Sequence, residues 1–265
     1  MKTLTETWWS DAIGRRKSVT VALPPGYSPD GPPFPVLYLL HPYGGDRRSW
    51  LRCQDLASHV AMGQIILVLP ESGRYWLIND AGGRRYEDYL VDEVVRYVDR
   101  HFNTFAHRGG RAIAGFSMGG ACALFQALRH GDLFSVAASN SGAFEAPLRV
   151  GDPYARYRDD TRLMMPTTRD HERVWGPPGS ATRETYDPYR LLAARDRGLP
   201  LSVYLDVGLD DYDRVISMNR NMRDALSAHS VPHEYRERRG GHDWEFVAAG
   251  LGTLFGFVRD HLTWP

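Results

Sequence analysis

Short apolar, β-branched runs recur along the chain: SVTVAL at 18–23, FPVLYLL at 34–40, QIILVLP at 64–70, RAIAG at 111–115, FSVAAS at 134–139 and LSVYLDV at 201–207. Amphipathic stretches separate them. Near-continuous apolar strands alternating with helices are the pattern of a mostly parallel sheet covered on both faces. In YEDYLVDEVVRYVDRHF at 86–102, Tyr86, Leu90, Val94 and Val98 fall at helical spacing, and carboxylates concentrate toward the start, where the helix dipole favours them. Helices are also predicted over 118–130, 213–229 and 244–261, and HEYRER, from His233, reads as a last strand. The fold class is therefore α/β.

Residues 144–199 break this rhythm. They are rich in Pro, Gly, Arg and Asp, contain WGPPGS, and are too long for an ordinary connection. The strands on either side read as parts of one sheet. The expectation is a single domain over 1–265, with 144–199 as an insertion of short helices capping one end of the sheet.

At 265 residues and 43% hydrophobic, the chain can bury a sizeable core. Its 32 basic and 32 acidic residues cancel, which removes the positive field expected of a partner for nucleic acid or an anionic membrane. Lys2 and Lys17 are the only lysines. No run approaches the ~18 apolar residues of a membrane span, and the polar opening MKTLTETWWS lacks the apolar centre of a signal peptide, so a soluble, cytoplasmic protein is expected. Cys53 and Cys122 fit neither a disulfide framework nor a zinc spacing and read as reduced thiols. Nothing in the pattern specifies an oligomeric state.

GFSMGG at 115–120 carries the sharpest chemical signal. In a G-x-S-x-G nucleophile elbow, serine occupies a tight strand-to-helix turn with room for little beyond glycine two residues to either side. Gly115 and Gly119 hold those places around Ser117, with the strand signal RAIA before and the helix pattern MGGACALFQALRH after. The competing reading is a glycine-rich turn carrying an idle serine.

A serine hydroxyl needs a base within hydrogen-bond reach and an acid to orient that base, here in the chain order Ser, Asp or Glu, His. Of the four late histidines, His229 and His261 sit in helix patterns and His233 opens a strand. His242 alone lies in a loop, RRGGHDW, between the last strand and the last helix. Its neighbour Asp243 is the better cap for that helix. For the acid, LSVYLDVGLDDYD leaves Asp206, Asp210, Asp211 and Asp213 open. They do not follow the D-x-[DN]-x-[DN]-G pattern of a calcium loop, and no metal is expected. An oxyanion hole needs two backbone N–H groups, one from the residue after the nucleophile and one from the turn after an early strand. Met118 supplies the first. In YLLHPYGGD, Pro42 has no N–H, which leaves Tyr43 for the second. His41 precedes the nucleophile and reads as an organiser of that turn.

Taken together, VALPPGY at 21–27, VLYLLHPYGGD at 36–46, RYEDYLVDEVV at 85–95, AIAGFSMGGACAL at 112–124, Gly208 and Asp211 in G-x-x-D spacing, and GGHDWEF at 240–246 resemble the "Putative esterase" family of α/β-hydrolases. That family includes esterase D-type S-formylglutathione hydrolases, feruloyl esterases, enterochelin esterases and the mycolyltransferases of the antigen 85 group. The resemblance runs from about residue 16 to the C-terminus. It implies an α/β-hydrolase fold, with Ser117 as nucleophile, Asp211 as the triad acid, His242 as base, and Tyr43 and Met118 as oxyanion donors. The chain departs from many relatives in carrying His41-Pro42 where they have His-Gly.

The resulting expectation is a serine carboxylesterase that acts on a small-molecule ester, favouring short acyl groups, through an acyl-enzyme and without a cofactor. Acyl transfer or S-formylglutathione-type thioester hydrolysis would use the same triad, and a non-catalytic ligand receptor would need none of it. Trp76, Trp175 and Trp244, with Tyr43, are expected to line an apolar substrate pocket.

Overall fold

A computed structural model describes residues 1–155 and 165–264. Strands β1 (Lys2–Ser10) and β2 (Arg15–Leu23) form a hairpin, followed by β3 (Val36–Leu40), α1 (Leu56–Gly63) and β4 (Ile66–Leu69). Helix α2 (Tyr86–Asp88) runs through a π turn, Tyr89–Val94, into α3 (Val95–His101). Next come β5 (Arg111–Phe116), α4 (Met118–Arg129) and β6 (Val136–Asn140). The short helices α5 (Thr168–Trp175), α6 (Ala181–Thr185) and α7 (Pro188–Ala194) fall within the region read as an insertion. The chain closes with β7 (Ser202–Gly208), α8 (Asp213–Ala228), β8 (His233–Arg238) and α9 (Trp244–His261).

Among the described residues the strands form one sheet in the order β1-β2-β4-β3-β5-β6-β7-β8. β1 and β2 pair antiparallel, as do β2 and β4, and every pair from β4 to β8 is parallel. The period-2 alternation of a strand divides its side chains between two cores. On β3, Val36, Tyr38 and Leu40 join Val94, Val98, Leu124 and Leu226 on one face. Leu37 and Leu39 face the other way, toward Leu56, Val60, Leu251, Leu254 and Val258 of α1 and α9. This two-sided burial is why the strand sequences are continuously apolar.

The polar opening is itself a strand. β1 alternates exposed and partly buried positions along a sheet edge, so its composition is that of an element covered on one side only. Among the described residues no helix is long and apolar enough to cross a membrane. Cys53 and Cys122 are buried free thiols, and burial pushes them up to about 11 and about 12.

Candidate active site

Ser117 sits between the last residue of β5 and the first of α4 with φ 57° and ψ −114°. L-residues rarely adopt this backbone, and it turns the hydroxyl out of the sheet. The surrounding glycines have a steric reason. A Cβ on Gly115 would land on the backbone of Gly119, and one on Gly119 would meet the carbonyl oxygens of Leu40 and His41, the latter at 2.7 Å. Helix α4 thus starts hard against the end of β3. The elbow is pinned by the Ser117 N–H donating to the Asn140 carbonyl (2.9 Å) and by the Ala143 N–H donating to the Ser117 carbonyl (3.2 Å).

The loops after β7 and β8 are tied together before either reaches the site. Asp210 N–H donates to the Gly240 carbonyl (3.0 Å), and Gly240 N–H donates to Asp210 Oδ2 (3.3 Å). A Cβ on Gly208 would land on that same Gly240 carbonyl, so the glycine of the G-x-x-D spacing is required by loop contact. Beyond this tie, His242 Nδ1 lies 2.9 and 3.0 Å from the two carboxylate oxygens of Asp211. The carboxylate accepts, so Nδ1 carries the proton and Nε2 is left to accept from the Ser117 hydroxyl at 2.8 Å. Asp211 is buried, and its Oδ1 also accepts from the Tyr212 N–H (2.6 Å). The rings of Phe116 and Tyr212, with centroids 4.8 and 5.4 Å from the imidazole, flank His242. Asp243 caps α9 by accepting from the Phe246 N–H (2.8 Å), as its position predicted.

The turn after β3 is held by His41. Its Nδ1–H donates to the Pro42 carbonyl (2.7 Å), and its Nε2 accepts from the Ser72 N–H (2.9 Å). Both ring nitrogens are occupied, and burial lowers the pKa against the opposing Pro42 hydrogen bond, so the imidazole is neutral. The Tyr43 N–H has no acceptor among the described residues. Met118, as the first residue of α4, has an N–H with no intrahelical partner.

A cavity of about 700 Å³ opens onto this constellation. Ser117, Met118, Tyr43, Asp211, His242, Trp76 and Trp244 all line it. Trp175 does not. It is fully buried, packed edge-on against Trp76 (4.9 Å), Phe125 and Tyr186, and supports the cavity wall from behind. The expectation of a pocket role for Trp175 is corrected accordingly: an aromatic in a polar segment was serving the core. The cavity also receives Glu145, Arg149, Met165, Pro166 and His171 from the 144–199 region, along with Arg214 and Met218 of α8. Burial, reinforced by Arg149, Arg183 and Arg214, pushes His171 down to about 3, so it is a neutral wall residue. Glu145, Arg149, Met165, Pro166, His171, Arg214 and Met218 were not marked by the sequence pattern. Residues 156–164 of the polar run lie outside the described residues. Among the described residues no cluster of His, Cys, Asp and Glu could hold a metal.

A model of the family described as "Putative esterase" matches residues 10–252. An esterase of Mycobacterium tuberculosis strain H37Rv is 30% identical over 262 residues, covering 88% of this chain and 54% of that protein. The chain thus spans about half the length of that relative. An acetyl esterase of Caldicellulosiruptor saccharolyticus is 26% identical, over 84% of this chain and 82% of its own length. Among solved structures, the substrate-bound serine hydrolase FphF of Staphylococcus aureus superposes with a TM-score of 0.81 over 97% of this chain and 98% of that one, at 24% identity.

Proposed function

From the premise that the chain belongs to the Putative esterase family and has the α/β-hydrolase fold, we propose that it is a serine carboxylesterase. Ser117 Oγ attacks the ester carbonyl as His242 Nε2 takes its proton. Asp211 holds the imidazole in the required tautomer and stabilises the imidazolium that forms. The negative charge that develops on the carbonyl oxygen is met by the Tyr43 and Met118 N–H groups. His242 returns the proton to the departing alcohol, leaving Ser117 acylated. Water, deprotonated by His242, then releases the acid.

One observation carries this reading: the unbroken relay Ser117–His242–Asp211, with contacts of 2.8 and 2.9 Å, at the floor of a cavity. The substrate is read as a small-molecule ester with a short acyl group, and 144–199 as a partial cover of a single domain. The test is Ser117→Ala assayed on a nitrophenyl acetate and with a fluorophosphonate probe. Turnover is expected to fall by ~10⁴-fold or more and labelling to vanish, in a protein that melts normally. Residual activity above about a hundredth of wild type would overturn the assignment.

A further inference from the structure

Behind the Tyr43 turn lies a second cavity, of about 450 Å³, that the proposed reaction does not use. Tyr43 lines both this cavity and the active-site cavity, which places the two on either side of one residue. Its walls carry four cations, Arg15, Lys17, Arg74 and Arg173.

Lys17 is the unusual one. It projects from β2, is only 5% exposed, and has the rings of Tyr86 and Tyr89 5.4 and 5.6 Å from its ammonium. Its nearest acid oxygen, Glu71 Oε1, is 3.8 Å away, beyond hydrogen-bond distance, and the ammonium has no acceptor among the described residues. A largely buried ammonium held by one long ion pair and two ring faces keeps hydrogen-bond donors to spare. Burial lowers the amine to about 8, with Glu71 opposing and Arg15 and Arg47 adding.

The acids of this cavity are already engaged. Glu71 pairs with Arg47 (3.2 Å), Asp46 with Arg48 (2.9 Å), and Asp170 accepts from the Thr167 hydroxyl (2.8 Å) and faces Arg173 (3.8 Å). Arg15 donates to the Tyr86 hydroxyl (3.1 Å), an uncharged partner. Arg74 makes no hydrogen bond or ion pair with the described residues. The cavity therefore holds positive charge in excess of its local counter-charges, with donors to spare.

We infer that this second cavity is a subsite for an anionic group, carboxylate or phosphate, carried by the ester substrate at a distance from its scissile carbonyl, with Lys17 and Arg74 as its principal contacts. The inference rests on the esterase reading above. An anionic oxygen would supply the acceptor that Lys17 lacks, and charge-assisted bonds of this kind are the strong ones. Such a subsite acts on specificity and leaves the chemical step to the triad.

The test compares kcat/KM for monomethyl esters of linear dicarboxylic acids with methyl esters of monocarboxylic acids of equal length. Phosphate-ended acids form a second arm, and acetyl esters of ω-hydroxy acids place the anion on the alcohol side. Wild type is expected to favour the anionic member of at least one series by about 10–100-fold at the chain length that spans Tyr43, the size of one charge-assisted hydrogen bond. Lys17→Met should erase that preference and Arg74→Gln weaken it, while neutral esters change by less than about threefold. No preference in any series, or a preference that survives in both variants, would overturn the subsite. If Lys17→Met does not fold, the exposed Arg74→Gln decides alone. If wild type fails even on nitrophenyl acetate, the esterase reading falls. The subsite is then judged by calorimetric titration of succinate, glutarate and suberate into wild type and Arg74→Gln: tighter binding to wild type supports it, and equal or absent binding removes it.

Discussion

Asp210 and Asp211 are neighbours with different partners, and their contacts predict opposite mutational outcomes. Asp210 is exposed and fastens the β7 loop to Gly240, a role that an asparagine carbonyl can keep. Asp211 is buried and presents both oxygens to His242 Nδ1. An asparagine there can offer an N–H instead, which selects the wrong imidazole tautomer. Asp211→Asn is expected to lower kcat/KM for a short ester by ~10⁴-fold, and Asp210→Asn by less than about tenfold, both with near-wild-type melting. If the Asp210 variant is the inactive one, the acid has been assigned to the wrong residue. Sequence spacing alone left four aspartates open here, because the choice is made by a hydrogen-bonded pair of loops that meet 31 residues apart in the chain. Ser117 was legible by contrast, since the glycines that permit its backbone are its immediate neighbours. Trp175 was misread for the opposite reason: a large aromatic in a polar segment has the same one-letter signature whether it faces a cavity or, as here, a core.

At the scale of elements, α2, α4 and the link between α6 and α7 are joined through a buried acid. Glu87 of α2 accepts a bidentate pair from Arg129 of α4 (2.9 and 3.0 Å), with further bonds to His130, Gln126 and the Tyr186 hydroxyl between α6 and α7. Burial alone would raise its pKa, but His130, Arg129 and Tyr186 outweigh it and hold the carboxyl down at about 2. A depressed carboxyl stabilises the fold fully above its unfolded value, near ~4.3, and this contribution is lost as pH falls from there toward about 2. Glu87→Gln leaves the partly exposed Arg129 with a neutral partner and removes a buried, hydrogen-bonded carboxylate, and should cost about 1–3 kcal/mol at neutral pH. The same variant should show a shallower loss of stability between pH 4.5 and 2 than wild type, measured by urea melts across pH; an unchanged acid limb would remove Glu87 as its source. The central strands and longer helices were readable because both faces of the sheet are buried and leave continuous apolar runs. β1 was not, because an edge strand covered on one side reads as a polar tail. The helix at 86–102 was found, but its π turn was not, since periodicity cannot separate a turn with one extra residue from an α-helix over so short a span.

For the molecule as a whole, the parallel sheet delivers four separate chain regions to one end. The β5–α4 elbow, the β7 and β8 loops and the turn after β3 meet at a cavity that the 144–199 region helps to wall. Its contribution to that wall is mixed. Met165 and Pro166 are apolar, but Glu145, Arg149 and His171 stand in the same surface, and Arg214 of α8 joins them. A long alkyl chain laid against this wall would strip water from charged groups and give few apolar contacts in return, and each polar group left without a partner costs on the order of 1–3 kcal/mol. An acetyl or butanoyl group need fill only the part beside Ser117, where Trp76, Phe116, Met118 and Trp244 are available. Each added methylene beyond that length therefore stops gaining its usual ~0.8 kcal/mol of burial. In a series of nitrophenyl esters at matched solubility, kcat/KM should peak at two to four acyl carbons, on the order of ten-fold above dodecanoyl. Faster hydrolysis of the dodecanoyl ester would mean that the polar groups turn away from the bound chain, and that 144–199 sheathes long acyl groups instead of restricting them.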